Sequence, residues 1–147
     1  MTVIDQDSLR FLRHILEAYF SMARDTNRLG FPECGRVLRI PEALDNRRVL
    51  DLDDDQFLRV DQGYASCRDE ILPANCQPPA ARLTCGEIVT KEYLSTGSVQ
   101  QKALQLGFDS GSYSVRVGRY RQGLAYSEVL LYSAMLPELE IWEAEIL

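Results

Sequence analysis

The sequence has a single histidine, His14, and no Cys-x-x-Cys pair among its four cysteines, Cys34, Cys67, Cys76 and Cys85. Zinc sites draw on clustered His and Cys ligands at short spacings, so no metal is expected. No Gly-rich phosphate loop occurs and no nucleophile–base pairing is visible. An enzyme is therefore not expected, and no cofactor is implied. His14 stands alone on a helix among apolar neighbours, which suits a core-edge residue better than a general base. The N-terminus "MTVIDQDSLRFL" lacks a charged-then-apolar signal pattern, and no apolar run approaches membrane length. These absences lead us to expect a soluble cytoplasmic protein, with four free thiols in a reducing compartment and no membrane partner. Positive charge is also scarce. The 16 Lys and Arg face 22 Asp and Glu, a net charge of −6. A general electrostatic grip on nucleic acid is not expected, and any anionic partner must meet a local basic patch.

What is present is enough for one domain. The 147 residues are 46% hydrophobic, sufficient for a core without staples. "SLRFLRHILEAYFSMAR" carries Leu9, Leu12, Leu16, Tyr19 and Phe20 on one helical face, with Asp7 or Ser8 as N-cap. The pattern fades into a loop at Asn27, Gly30, Pro32 and Gly35, and residues 36–52 read as an irregular connector. A second helix follows Asp53, its expected N-cap. Asp54 and Asp55 lie at the positive end of its dipole, and Phe57, Val60, Tyr64, Cys67 and Ile71 form its apolar stripe. The same acid run superficially matches a metal-binding carboxylate cluster, but no glycine-turned calcium loop follows it. Pro73 ends this helix. A third, "ARLTCGEIVTKEYL", has Pro78 or Pro79 near its first turn and turns Leu83, Ile88 and Tyr93 or Leu94 inward. Gly97 suits a left-handed C-terminal position. A short helix Val99–Leu106 and a long one from Ser110 to Met135 complete an all-α fold, and Pro137 opens an acidic tail. The expected organisation is a helical body over 1–77, a helix-turn-helix region over 78–136 and the tail over 137–147, within one compact domain.

The segment "GSVQQKALQLGFDSGSYSVRVGRYRQ" satisfies the demands of two helices meeting steeply across a short turn. Ala103 is the small residue that lets the helices approach. Gly107 accepts positive φ, Phe108 plugs the gap and Asp109 caps the second helix. Tyr113, Val117, Tyr120 and Leu124 form the expected buried stripe. The opposite face carries Ser110, Ser112, Ser114, Val115, Arg116 and Arg119. Arg116 and Arg119 suit a recognition helix that forks onto bases, the serines let its N-terminus approach phosphates, and Arg121 and Lys102 suit phosphate contacts. Between Ser98 and Tyr126, Lys102, Arg116, Arg119 and Arg121 face only Asp109. Basic charge is thus concentrated on the element expected to bind DNA. Two blander readings remain: a helical hairpin that touches no DNA, and arginines on an ordinary solvated face.

The stretch "IVTKEYLSTGSVQQKALQLGFDSGSYSVRVGRYRQGLA" resembles the C-terminal helix-turn-helix of phage Q antitermination proteins, the type unlike that of phage lambda. "HILEAYFSMARDTNRLGFP" resembles that family's opening helix and "LDDDQFLRVDQGYASC" its acid-started second helix, so the resemblance spans roughly residues 9–131. Phage sigma-like factors and late-gene activators share the same helix-turn-helix pattern. Two features depart from it: Tyr113 stands where a smaller β-branched residue is usual, and glycines follow Val117. The resemblance implies a bacteriophage regulator of late gene expression acting in the host cytoplasm. Such a protein binds double-stranded DNA beside a late promoter, engages host RNA polymerase and its sigma factor, and carries the polymerase through terminators. Two rivals share the same residues. One is a plain helix-turn-helix activator or repressor. The other is an acidic helical protein that binds a host protein and never DNA.

Overall fold

The computed structural model describes residues 6–29, 52–80 and 82–146. The expected loop at 30–35 and most of the 36–52 connector, with Cys34, lie outside the described residues. Among the described residues there are five α-helices and a 3-10 turn at Ala74–Cys76, with one isolated antiparallel bridge, Ile71 to Thr84. The fold is all-α. The helices are α1 (Gln6–Leu29), α2 (Asp54–Cys67), α3 (Cys85–Leu94), α4 (Val99–Gln105) and α5 (Tyr113–Ile146). The chain divides into two compact units. One comprises residues 1–62 and 137–147, and the other residues 63–136.

In the first unit the period of three and four on α1 buries Leu12, Ile15, Leu16, Tyr19 and Phe20, together with Phe11, Ala18 and Met22. The Tyr19 ring lies 4.9 Å from that of Phe57, and its hydroxyl donates to Asp61. Asp53 caps α2 as expected. Its carboxylate accepts from the Gln56 amide at 2.8 Å, while the Gln56 side chain accepts from the Asp53 amide at 3.0 Å. α1 already includes Asp7 and Ser8, so neither is an N-cap, and Asp7 instead pairs with Arg10 at 3.4 Å.

The second unit departs from expectation at two helix boundaries. α2 ends at Cys67, so Ile71 is not on its stripe. It is 46% exposed and sits in the bridge to Thr84. α3 begins at Cys85, beyond both prolines, because Thr84 and Glu87 form a reciprocal capping box. The chain between these helices is held by Gln77. Its amide nitrogen donates to the carbonyls of Leu72 (2.9 Å) and Leu83 (3.0 Å), and its oxygen accepts from the Leu83 amide. Leu72, Cys76, Leu83, Cys85, Ile88 and Val89 of this unit are buried. Cys67, Cys76 and Cys85 are free thiols, and burial pushes the Cys76 and Cys85 thiols up.

α5 runs without a break through Gly118, Gly123 and Pro137, so the acidic segment after Pro137 continues this helix. Proline removes one backbone donor. The carbonyl left unpaired is that of Ser133, an exposed residue, where water can satisfy it. Gly123 is buried, and a Cβ there would come within 2.9 Å of Ile88, so the glycine lets α5 lie against α3. Among the described residues no helix is long and apolar enough to cross a membrane.

Candidate functional site

The site is built on α4, the turn after it and the first turns of α5. α4 opens on a second capping box, in which the Ser98 hydroxyl accepts from the Gln101 amide and the Gln101 side chain accepts from the Ser98 amide. It closes on a Schellman-type turn. The Phe108 amide donates to the Ala103 carbonyl at 3.0 Å and the Gly107 amide to that of Leu104 at 3.0 Å. Gly107 has φ 99°, the positive value the sequence pattern demands. Ala103 is fully buried, and Phe108 is 1% exposed with its ring edge-on to Tyr120 at 6.3 Å. The small residue, the glycine and the aromatic plug therefore occupy their expected places.

The head of α5 differs. The connection Leu106–Ser112 is longer than a three- or four-residue turn, because Gly111 also takes a positive φ of 83° and delays the helix to Tyr113. Asp109 is therefore not the N-cap. Ser112 holds that place, its hydroxyl accepting from the Val115 amide at 3.4 Å and its carbonyl accepting from the Arg116 amide at 3.0 Å. Ser110 precedes the helix rather than starting it. Tyr113 is 54% exposed rather than buried, since it lies one turn beyond the point where the stripe finds partners. Val117 and Tyr120 are buried as expected, and Leu124 is half-buried.

The four basic residues fall into three environments. Lys102 is turned inward. Its ammonium donates to the Glu92 carbonyl at 3.0 Å and lies 3.5 Å from the Glu92 carboxylate, with only 12% of its side chain exposed. The same carboxylate accepts from the Tyr120 hydroxyl at 2.8 Å. Burial, reinforced by that hydrogen bond, pushes the Tyr120 phenol up. Glu92 thus ties α3, α4 and α5 together, and Lys102 is a strut rather than a phosphate contact. Arg116 curls back, donating from Nη1 to the Gly111 carbonyl at 2.6 Å, and its Nε is buried without a partner. Arg119 and Arg121 are exposed and make no hydrogen bond or ion pair with any described residue. Ser110, Ser112, Ser114 and Val115 are exposed beside them. His14 is exposed on α1. Among the described residues no His, Cys, Asp and Glu group is arranged to hold a metal.

Sequence reasoning missed the Glu92 clamp and the loop role of Arg116. The capping boxes Thr84-x-x-Glu87 and Ser98-x-x-Gln101 were visible signals, and with them the start of α3 was within reach. Glu92 lies 10 positions from Lys102 and 28 from Tyr120, separations that carry no local signal. Compared with family models, curated proteins and solved structures, the chain matches none.

Proposed function

We propose that the α4–α5 segment is a helix-turn-helix that binds double-stranded DNA, and that the chain is a phage late-gene antitermination factor. The observation that carries the DNA-binding part is a buried turn beside exposed, unpaired arginines. Ala103, Gly107 and Phe108 fix α5 against α4, while Arg119 and Arg121 stand exposed and uncompensated with three serines at the helix entry. From Tyr113 to Ser127 the helix carries three arginines and no acid. A major groove lined by phosphates complements such a face, and arginine can fork onto guanine.

The regulatory part rests on the resemblance to Q antiterminators. With Lys102 withdrawn into the clamp, few positive charges remain for phosphates, so isolated binding is weak at physiological salt. Affinity then requires a second partner engaged at the same time, which raises the whole through effective concentration. Host RNA polymerase holoenzyme with its sigma factor is that partner in this reading. The test is purified transcription on a template carrying the DNA that flanks the coding gene and ends in a terminator. We expect tight engagement only with holoenzyme present, followed by terminator read-through. Equal binding with and without polymerase, and unchanged termination, would identify a simple activator or repressor. Absence of any DNA binding would leave the acidic protein-binding reading.

A further inference from the structure

Gly118 is unexplained by the fold. It lies inside α5 with no positive φ, and a Cβ built on it would meet nothing within 4 Å. Glycine is the weakest helix former after proline, so an alanine there would serve the helix better. Its neighbour Gly123 has a packing reason, whereas Gly118 faces open space. Helical periodicity places Val115, Gly118, Arg119 and Gln122 on one face. Val115 is 43% exposed, and Arg119 and Gln122 are also exposed. The gap left by the missing side chain is therefore bordered by an apolar contact, a free guanidinium and an amide. Glycine at such a position lets another molecule approach the helix backbone closely. This face carries one free guanidinium and no carboxylate, a charge that selects an anionic molecule.

We propose that Gly118 is the point of closest approach between α5 and the floor of the DNA major groove, with Val115 and Arg119 on the base edges either side. This rests on the DNA-binding reading above and adds which turn of the helix is seated. Arg119 forks onto a guanine, and Val115 packs against a thymine methyl. Tyr113 and Ser112, one turn earlier, lie nearer the groove wall.

The test uses a duplex selected from a random library by the full chain. Gly118→Ala raises the melting temperature by about 2–4 °C, since it strengthens a helix position where a Cβ meets nothing. Gly118→Leu keeps the fold but lowers affinity for the selected duplex by about tenfold or more, the loss of one or two base contacts. Affinity for an unrelated duplex changes less. Should the leucine variant fail to fold, the alanine variant decides: it must bind more weakly than the parent while melting higher. Parental affinity in every folded Gly118 variant, with Arg119→Ala still losing affinity, overturns the proposal and leaves DNA binding standing. A parent chain that selects no duplex overturns both.

Discussion

The two faces of α5 are built on opposite terms. Inward, Val117 is buried, and Tyr120 and Gly123 are each accounted for by a neighbour: Tyr120 by Phe108 and Glu92, Gly123 by Ile88. Outward, Gly118 and Arg119 have no counterpart among the described residues, and exposed Arg121 lies beside the buried stripe rather than with them. A face satisfied by the fold is expected to respond to mutation through stability, and a face the fold does not use through binding. The contrast also separates Lys102 from Arg119. Both are basic and close in sequence, yet one is consumed by Glu92 and the other is free.

The largest effect is expected at the aromatic plug. Phe108→Ala empties a fully packed position and should cost about 3–5 kcal/mol in a urea titration. Leucine at Ala103, where no surface is exposed, should cost about 1–3 kcal/mol by overpacking. Glu92→Ala removes a charge-assisted hydrogen bond from Tyr120 and the partner of Lys102 together, and a loss of about 1.5–3 kcal/mol is expected. Gly107→Ala forces a Cβ onto φ 99° and should cost about 1–2 kcal/mol. None of these four should leave a folded protein with altered DNA selectivity. A folded variant that binds a different duplex would break the division between faces.

The Tyr120 phenol sharpens the same contrast through pH. Its folded pKa is raised, first by burial and then by its hydrogen bond to Glu92. The folded state therefore holds the phenolic proton where the unfolded chain has released it. The stabilisation is fully present below the unfolded value, about pH 10, and is lost as pH rises from there toward the folded value. Stability should fall by up to about 1.4 kcal/mol per pH unit in that window, and Tyr120→Phe should remove this component. The smallest stability effect belongs to Arg119→Ala, within about 0.5 kcal/mol of the parent.

Much of the second unit was legible because its signals are local. Ala103, Gly107 and Phe108 are fixed by one turn's geometry, and each stands where the pattern puts it. The cap of α5 was not, since "DSGS" offers several capping residues and only the positive φ of Gly111 selects Ser112. Tyr113 continues the stripe by spacing but outruns its packing partners, which periodicity alone cannot register. Pro137 reads as a helix stop, yet an exposed turn tolerates one missing donor. Lys102 counted as a DNA contact because its partner Glu92 is on another helix, beyond the reach of spacing rules.

The central claim is that the exposed arginines of α5 hold DNA. Its most direct test is the salt dependence of binding to the selected duplex for the parent, for Lys102→Ala and for an Arg119→Ala/Arg121→Ala double variant, with folding checked by circular dichroism. We expect the double variant to bind at least tenfold more weakly, with a log–log salt slope reduced by about one unit per lost phosphate contact, and the folded Lys102 variant to keep the parental slope. Parental affinity and slope in the folded double variant would contradict the claim.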